Sequence, residues 1–462
     1  MKTCGLIFLM FFMQTITQKV VAQSTDMNWK AGMAKVKITP ETSMWMAGYG
    51  SRTSPSEGVL HDIWAKALML EDAKGYRSVW VTLDLLGLPK AVSDEVRDQL
   101  KSKLNLDRSQ IILNSSHTHT GPVLGNALVD IYPTTDADEA LIDQYTEQLT
   151  QLLVDVVVQS SMEMEKVHLY AENGVARFQV NRRNNVESLL TEQTSLAGPI
   201  DHAVPVIKVE RMDGSIKGIV FGYACHPTVL SLNKWSGDYP GFAQIELEKS
   251  HPGAMAMFFQ GAGADQNPLP RRTVALARQY GRTLAAAVDA VLEEDMQAIE
   301  SQLSTAYREI DLNLNQPPSR ADLEAHCASA RGYQLKWGQR LLEEAKKGEK
   351  FMESYPYPIQ VWKLGDWPLF TLGGELVVGY ANQLKKIFGQ HSFVLGYTND
   401  VMAYIPTAVI LEEGGYEGAS SQVVYGLPSI WSFNIESNII QSMVELASTI
   451  EVEPQVNALL KK

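Results

Sequence analysis

The hydrophobic pattern of this chain alternates between short apolar runs and longer amphipathic stretches. Apolar runs bounded by polar residues occur at Arg77 to Leu86 and at Gln110 to Ser116, and this pattern predicts buried strands. Between them, the apolar positions of Ala91 to Leu104 recur with the period of a helix. A long helix is predicted over Ala137 to Val158 and a further strand over Val167 to Glu172.

Two neighbouring apolar runs predict a β-hairpin. Ala203 to Glu210 and Ile216 to Ala224 are joined by Met212-Asp213-Gly214-Ser215, and Asp-Gly provides the positive backbone angles of a tight turn. A buried strand at Ala254 to Phe259 and a helix at Thr273 to Leu292 follow. Because antiparallel and helical segments are both present, the pattern predicts an α/β (mixed α+β) fold, in which mixed β-sheets are flanked by outer helices within one domain.

A charged helical excursion is predicted at about residues 318–350. Ser319 and Asp322 have the spacing of a capping box, and the helix is predicted to run from there toward Lys347. Its polar face indicates a surface position. The stretch Tyr355-Pro356-Tyr357-Pro358 that follows is predicted to be an extended connector.

The N-terminal segment has the pattern of a secretory signal peptide. A basic start is followed by the apolar stretch Leu6 to Met13 and by small residues near Ala22, which predicts that residues 1–23 are removed and that the domain comprises residues 24–462. The apolar stretch is too short for a membrane-spanning helix. A secreted or periplasmic location is therefore expected. Only Cys225 and Cys327 remain after removal, so at most one disulfide is possible.

Composition narrows the possible partners. The 462 residues are 45% hydrophobic and 20% charged, enough to build a large globular core. The formal charge of -13 and the pI near 5.3 argue against a nucleic-acid partner, because phosphate binding needs a concentrated basic surface. No segment after the signal peptide is long and apolar enough to span a membrane, and the sequence leaves the oligomeric state open.

Two histidines follow the apolar run that ends at Ser116. If Gln110 to Ser116 is a strand that continues through His117 and His119, side chains two residues apart point the same way and both imidazoles reach one spot. Neutral imidazole is a preferred zinc ligand, and the Gly-Pro that follows ends the strand. The pair is a candidate metal site.

Three further apolar segments are followed or preceded by a tight turn and a reactive side chain. Ile216 to Ala224 leads to His226, and the double glycine of Leu372-Gly373-Gly374-Glu375 places Glu375 at the predicted start of an apolar helix. Zinc catalysis typically uses three nitrogen or oxygen ligands and one open position, which two histidines and a glutamate would supply. The third segment is Asn399 to Pro406, and on residue chemistry alone its Tyr404 is a hydrogen-bond donor beside the metal and not a ligand.

The same segments resemble the catalytic region of the neutral/alkaline, non-lysosomal ceramidases. The resemblance extends from about residue 30 to 435. The matching motifs, in chain order, are Gly32 to Thr39, His61 to Leu70, Asn114 to Pro122, Gly222 to Ser231, Ser236 to Ala243, Tyr404-Ile405 and Tyr416 to Ser420.

The resemblance implies a single catalytic domain of this family, with specific roles for eight residues. It implies zinc bound by His117, His226, Glu375 and Tyr404. It also implies that His119 is a substrate-facing imidazole or supports a ligand, that Arg182 meets the substrate and that Tyr416 lines the pocket, while Asp265 takes the place of a family serine. Whether Arg182 or its neighbour Arg183 has the substrate role is left open.

The implied activity is that of a secreted zinc-dependent hydrolase with a small-molecule or lipid substrate. The resemblance implies cleavage of the N-acyl amide bond of a ceramide-like lipid by a zinc-activated water. His119, Arg182 and Tyr404 or Tyr416 are then expected to stabilise the oxyanion, with Asp265 as general base or substrate anchor.

Two departures from the family keep alternatives open. The segment Gly263 to Pro268 has no hydroxyl where ceramidases carry a serine, and an ionised Asp265 cannot donate a hydrogen bond to a carbonyl oxygen. The sequence also ends at Lys462, so we expect it to lack the family's C-terminal β-sandwich domain. A zinc enzyme of this fold acting on a soluble amide, ester or carbohydrate-derived compound is one alternative, and a non-catalytic binding protein is another.

Overall fold

Strands and helices alternate along residues 27–455, which are the residues that the computed structural model describes. The predicted signal peptide, residues 1–23, lies outside them. The strands up to the hairpin are β1 (Trp29–Lys37), β2 (Gly58–Val59), β3 (Trp64–Glu71), β4 (Arg77–Leu83), β5 (Ile111–Ser115), β6 (Glu165–Val175), β7 (Gln179–Asn181), β8 (Ala203–Arg211) and β9 (Ile216–Tyr223). The later strands are β10 (Lys234–Trp235), β11 (Met255–Gln260), β12 (Gln266–Pro268), β13 (Gln297–Ala298), β14 (Leu303–Asn313), β15 (Ser354–Leu364), β16 (Trp367–Leu372), β17 (Glu375–Leu376), β18 (Phe393–Leu395) and β19 (Tyr404–Ile405). The helices are α1 (Lys90–Leu104), α2 (Asp136–Met162), α3 (Asp238–Ser250), α4 (Val274–Leu292), α5 (Arg320–Ser329), α6 (Gly332–Lys347), α7 (Val378–Phe388), α8 (Ala408–Glu413), α9 (Ser421–Val424) and α10 (Ile435–Ser448).

The predicted mixed sheets are confirmed. Within the described residues, sheet A has nine strands in the order β11-β9-β8-β6-β1-β3-β4-β5, and β13 pairs with β6. Its two ends are parallel pairs, β11 with β9 and β4 with β5, and the strands between them are antiparallel. The predicted hairpin of β8 and β9 is one of the antiparallel pairs. Sheet B has the order β14-β15-β16-β18, with β16 and β18 parallel.

The two sheets pack face to face, and helices cover both outer faces. The shared core between the sheets includes Trp80 of β4 and Trp362 of β15, whose rings are 6.4 Å apart edge to face. Apolar side chains of α1 and α2 cover one half of sheet A, those of α3 and α4 cover the other half, and α7 with α10 cover sheet B. None of the helices within residues 27–455 combines the length and the apolarity needed to cross a bilayer.

The helical excursion forms two helices, so the prediction of one long helix is wrong. The capping box is confirmed, because the Ser319 side chain accepts from the Asp322 N–H and the Asp322 carboxylate accepts in return. The chain becomes extended at Ala330 and takes a left-handed conformation at Gly332, with φ +57°. This turn lets Trp337 of α6 pack with Leu323 of α5, so burial of apolar side chains accounts for the break.

The proline-rich stretch after the excursion belongs to a strand and is not a connector. Residues 354–358 form the first part of β15 and pair with β14 along their length, for example Pro356 with Asp311 and Pro358 with Glu309. β16 pairs with β15 only from Ile359 onward. The two prolines therefore lie where β15 has one partner strand, a position in which a missing N–H is tolerated.

Asn114, near the end of β5, ties the two sheets together. Its buried side-chain amide donates to Gly396 O at 2.8 Å and to Thr398 Oγ1 at 3.0 Å, and its carbonyl oxygen accepts from Gln260 N at 2.9 Å. Gln260 ends β11 of sheet A, whereas Gly396 and Thr398 follow β18 of sheet B. One side chain thus anchors the edge of the molecule at which the polar segments following β5, β9, β11 and β16 converge.

Replacement of Asn114 by leucine is expected to lower the free energy of unfolding by about 3 kcal/mol, because it leaves buried partners without a hydrogen bond at nearly unchanged volume. Guanidinium denaturation measures this change. Asn438→Leu is the matched control, since the Asn438 side chain donates to Asp311 O and accepts from Ser442 Oγ near the surface, where water can replace either partner. Equal stability of the two variants would contradict the anchoring role of Asn114.

Candidate functional site

Three segments, each following a strand, bring one buried polar side chain apiece to a common point. The loop after β5 carries His117, the loop after β9 carries His226, and the turn after β16 leads into β17, which begins with Glu375. All three side chains are nearly inaccessible to solvent. The sequence prediction that these residues lie together is supported by their positions.

The prediction that strand alternation brings His117 and His119 together is wrong, however. β5 ends at Ser115, and His117 has a left-handed backbone with φ +64°, so strand alternation does not orient His117 and His119. Instead, His117 N donates to Leu85 O, which fixes the loop against the segment that follows β4. The imidazoles still meet, because the loop turns both of them inward.

Four potential ligand atoms converge within this cluster. His117 Nε2 lies 3.1 Å from His226 Nε2, 3.2 Å from His119 Nε2 and 3.1 Å from Glu375 Oε2. His226 Nε2 lies 3.3 Å from the same carboxylate oxygen. A tetrahedral metal with bonds of about 2.0–2.1 Å would hold its ligand atoms roughly 3.3 Å apart, which is close to these separations.

The protons of two imidazoles are placed by backbone carbonyls. His117 Nδ1 lies 2.6 Å from Leu86 O, and His226 Nδ1 lies 3.1 Å from Gly263 O. A carbonyl oxygen only accepts, so each Nδ1 carries a proton and each Nε2 is the atom that can present a lone pair to the cavity. Glu375 Oε2 faces these lone pairs without a hydrogen-bond donor.

Lone pairs and a carboxylate that face one another in a buried site repel unless a cation lies between them. Burial, followed by the neighbouring His117 and Arg182, holds the pKa of His226 well below its ordinary value, and the same causes lower the pKa of His119. Both rings are therefore neutral at neutral pH, the form that coordinates metals. His117, His119 and His226 could hold a metal ion. The Glu375 carboxylate lies within 3.3 Å of two of these rings, so an oxygen donor is also at hand.

Glu375 and Tyr404 lie side by side because β17 and β19 pair in parallel with these two residues in register. Glu375 was expected at the start of a helix, but it begins β17, and α7 starts only at Val378. Gly374 precedes it with φ +68°, where a Cβ would lie 2.7 Å from Ala403 O. Only glycine permits this close approach, as the double glycine indicated.

The remaining oxygens of this pair are held by two more residues. Tyr425 OH donates to Glu375 Oε1 at 2.5 Å, which leaves Oε2 directed at the histidines. Arg182 Nη2 donates to Tyr404 OH at 3.0 Å. Since that phenol oxygen accepts from Arg182, its own proton is available as a donor, and the Tyr416 phenol, which also lines the cavity, is within its reach.

The two neighbouring arginines, Arg182 and Arg183, have different partners in the structure. Arg182 binds Glu417 Oε1 at 2.7 Å and reaches Tyr404, whereas Arg183 pairs with Glu413 and with the other oxygen of Glu417. Burial opposes ionisation of Glu417, but the two arginines outweigh it and hold the pKa of that carboxyl below its ordinary value. Of the two arginines, Arg182 is the one that contacts the cavity residues.

Asp265 is buried beside the cluster and faces other partners. Its Oδ1 accepts from Val378 N at 2.9 Å and its Oδ2 from Asn181 Nδ2 at 3.2 Å, while its backbone oxygen accepts from Arg182 N. Burial raises the pKa of its carboxyl. The side chain connects the segment that carries Arg182 to the start of α7, and it does not line the cavity at the histidines.

A small cavity of about 30 Å³ lies at the cluster, which is room for a water or an ion. Its polar wall consists of His117, His119, Glu375, Tyr404, Tyr416 and Tyr425, and its remaining wall of Gly48, Gly50, Leu86, Leu128, Ile131, Tyr132 and Val424. Tyr416 is 43% exposed and also lines an outer polar cavity of about 500 Å³, so it marks the way to solvent. Leu128 and Tyr132 also line a recess of about 250 Å³, whose wall is apolar at Val123, Leu124 and Ile142 and polar at Asn126, Thr134, Glu139 and Asp143.

Sequence reasoning missed several residues that shape this site. Tyr425 and Tyr397, whose ring lies 4.5 Å from that of His117, belong to no motif that points to the cluster. Glu417 lies beside Tyr416 in the Tyr-Glu-Gly-Ala-Ser segment, on a π-helical turn, so its proximity to a predicted residue was a usable indication. Arg52, which donates to the backbone oxygen of His119 at 2.8 Å, carried no such indication.

Comparison with known proteins agrees with this architecture. The sequence model of the family described as neutral/alkaline non-lysosomal ceramidase, N-terminal, matches residues 29–268. The crystal structure of neutral ceramidase from Pseudomonas aeruginosa superposes with a TM-score of 0.73 at 20% identity, over 92% of this chain and 75% of that one. A ceramidase complexed with C2 superposes with a TM-score of 0.71 at 18% identity, over 93% of this chain and 77% of that one. No curated protein matches the sequence significantly. The predicted fold class is confirmed.

Proposed function

Because this chain belongs to the neutral/alkaline non-lysosomal ceramidase family, we propose that it is a zinc-dependent hydrolase that cleaves the N-acyl amide bond of a ceramide-like lipid. The observation that carries the proposal is the convergence of His117, His226 and Glu375, with lone pairs directed at one another in a buried cavity. Such an arrangement is costly without a cation, and hydrolysis is the chemistry implied by the family. A secreted or periplasmic location is part of the proposal and rests on the sequence of residues 1–23.

Zinc suits the donors present. His117, His226 and Glu375 would hold it through nitrogen and oxygen atoms that lie within 3.3 Å of one another, with His119 or Tyr404 beside them, a set typical of catalytic zinc sites. When bound, zinc supplies a Lewis acid that polarises an acyl oxygen and lowers the pKa of a water to about 7. The carbonyls of Leu86 and Gly263 orient the two rings for this role.

Arg182 and Tyr404 are the residues best arranged to stabilise an oxyanion. The guanidinium is fixed by Glu417 and donates to the Tyr404 oxygen, so the phenol can donate its proton to a negatively charged oxygen in the cavity. Tyr416, edge to face with Tyr404 at 5.3 Å, closes the outer side. His119 and the two phenols are the groups near the cavity that can carry a proton to the leaving nitrogen.

Asp265 is assigned a positioning role in this proposal. Both carboxylate oxygens accept hydrogen bonds from within the protein, and they connect Asn181, which precedes Arg182, to α7, which follows Glu375. These contacts favour a brace between the arginine and the carboxylate of the site over a general base, which would need a free oxygen toward the cavity.

The recess beside Leu128 and Tyr132 offers apolar surface on part of its wall to an acyl substrate. It adjoins the small cavity, and Val123, Leu124 and Ile142 contribute to its wall. An alkyl chain entering it would be removed from water, which contributes about 0.8 kcal/mol per methylene. The recess therefore favours a substrate with a short or partly inserted chain.

A second candidate substrate class is favoured by the outer cavity. That larger cavity is lined by Arg182, Arg183 and Arg271 together with Glu187 and Glu417, a polar surface. The segment containing Asp265 also lacks the hydroxyl of the family serine. A soluble amide, ester or carbohydrate-derived compound fits this polar approach.

Protein reconstituted with zinc is expected to release fatty acid from short-chain ceramide, and chelation is expected to abolish the activity until zinc is restored. The chelated protein should also unfold at a lower temperature, since a ligand at a hundredfold excess over its Kd stabilises the native state by about 2.7 kcal/mol. Liquid chromatography of the products and thermal unfolding measure both effects.

Sugar esters and soluble amides in the same assay distinguish the two substrate classes. Their hydrolysis in the absence of ceramide turnover would establish the second candidate. Full activity of the metal-free protein would contradict the zinc assignment for either substrate.

A further inference from the structure

A separate polar cavity lies on the other side of the loop that forms part of the wall of the small cavity. The loop residues Gly48 and Gly50 face the histidines, whereas Tyr49 and Arg52 line a cavity of about 330 Å³ together with Arg272. No residue lines both cavities. This cavity, the arginine pocket, has no role in the proposed hydrolysis.

Two guanidinium groups meet in the arginine pocket across one tyrosine ring. The Arg52 and Arg272 guanidinium carbons lie 5.4 and 5.2 Å from the centre of the Tyr49 ring. Arg272 Nη1 donates to Tyr49 OH at 2.8 Å, and this phenol donates to Leu230 O at 2.8 Å. Like charges are thus held close together by a neutral side chain.

Neither guanidinium forms an ion pair with any carboxylate of residues 27–455. Arg52 is 7% exposed and donates to neutral acceptors, namely the backbone oxygens of His119 and Leu232 and the side chain of Asn233, while its buried Nε has no acceptor. Arg272 has neutral acceptors in Tyr49 and Thr228. By contrast, the nearby Arg271 pairs with Glu187.

The carboxyl group that acts electrostatically on Arg272 is outside the pocket. Asp238 is fully buried, and its oxygens accept from Leu230 N and Tyr239 N. Burial raises its pKa to about 7, so at neutral pH it is only partly ionised. The charge of the two guanidinium groups is therefore not balanced from within.

We propose that the arginine pocket binds an oxyanion, specifically a phosphate group. Three hydroxyl side chains, those of Ser51, Thr53 and Ser231, line the pocket without a hydrogen-bond partner in the described part of the chain. Guanidinium and hydroxyl donors around a common space match the acceptor oxygens of phosphate. The net charge of -13 makes such a concentration of unpaired positive charge notable, because the rest of the chain repels anions.

Phosphate in this pocket would lie next to the histidine cluster without entering it. Arg52 donates to the His119 carbonyl oxygen at 2.8 Å, and the Tyr49 ring lies 4.8 Å from the His119 ring. The phosphate can come from the head group of a lipid or from a free phosphate compound, and both present the same oxygens. The inference does not depend on the proposed amide hydrolysis.

Titration calorimetry of the full chain with inorganic phosphate tests this inference. Saturable binding at constant ionic strength is expected for the natural protein, and Arg272→Gln is expected to weaken it about tenfold, since one charged hydrogen-bond donor is lost. Arg272 is at the surface, so the variant is expected to fold. Ser231→Asp, which places a carboxylate in the pocket, is expected to weaken binding at least as much.

Arg282→Gln is the matched control, because Arg282 is an exposed arginine of α4, the helix that follows Arg272, and it does not line the pocket. Dihexanoyl phosphatidic acid below its micelle concentration distinguishes the sources: tighter binding than inorganic phosphate indicates a lipid head group, and equal or weaker binding indicates a free phosphate compound. The absence of saturable phosphate binding, or equal affinity in Arg272→Gln and Arg282→Gln, would overturn the inference.

Discussion

Replacement of His226 by alanine is expected to lower kcat/KM by at least about a thousandfold and to reduce the zinc content of the purified protein. The His226 Nε2 lies 3.1 Å from His117 Nε2 and 3.3 Å from Glu375 Oε2, so the substitution removes one of the four converging ligand atoms. A metal supplies several kcal/mol of transition-state stabilisation, which corresponds to about this factor. Steady-state kinetics and elemental analysis of the same preparation measure the two effects.

His251→Ala is the control for this variant. The His251 ring pairs with Asp289 at 2.8 Å, is partly exposed and lines none of the cavities at the site, so the variant should keep its zinc and its activity. Circular dichroism establishes that both variants are folded. If His226→Ala kept zinc and turnover, the metal site would have to be elsewhere. A natural protein that binds ceramide in a zinc-dependent manner but never releases fatty acid would instead be a binding protein.

Replacement of Arg182 by lysine is expected to lower kcat by about a hundredfold with a smaller change in KM. The planar Arg182 guanidinium donates simultaneously to Glu417 Oε1 and to Tyr404 OH, and the single ammonium group of lysine cannot reproduce this geometry. Loss of an oriented donor at an oxyanion site typically costs a factor of about 10² to 10³ in kcat. Kinetics with short-chain ceramide, or with whichever substrate the enzyme accepts, separates kcat from KM.

Arg183→Lys is the matched comparison, since the two arginines are neighbours that share Glu417. The Arg183 guanidinium pairs with the exposed Glu413 and the buried Glu417 but donates to no residue of the small cavity. Lysine keeps the charge, and loss of the exposed pair costs at most about 1 kcal/mol, so the effect should be less than about fivefold. Equal losses in the two variants would mean that both act only through the Glu417 ion pairs.

Much of the fold was predictable because buried strands and amphipathic helices leave local patterns. The hairpin of β8 and β9 followed from two apolar runs and an Asp-Gly turn, and the capping box at Ser319 from two residues three apart. The break between α5 and α6 was not predictable from that pattern, because the packing of Trp337 against Leu323 decided it. Apolar periodicity continues across such a turn, so it does not reveal that the chain reverses.

The candidate site was predictable in its residue types more than in its geometry. His117, His226, Glu375 and Tyr404 stand at the ends of apolar segments, and imidazole or carboxylate at such positions indicates metal chemistry. The alternation argument for His117 failed because the loop takes a left-handed turn after Ser115. Asp265 was expected to act on the substrate, and its role there stays a prediction, since the contacts of its carboxylate favour a brace.

By itself, the sequence determined the mixed α+β class, the acidic surface charge and the identity of the residues able to bind a metal, since each depends on residue type or on near neighbours in the chain. Only the tertiary structure decided that Tyr425 orients Glu375, that Arg182 and not Arg183 reaches Tyr404, and that Arg52 and Arg272 share a pocket. These contacts join residues between 50 and 222 positions apart. They arise where the packed sheets and their connecting loops come together, and a pattern confined to neighbouring residues carries no information about such distances.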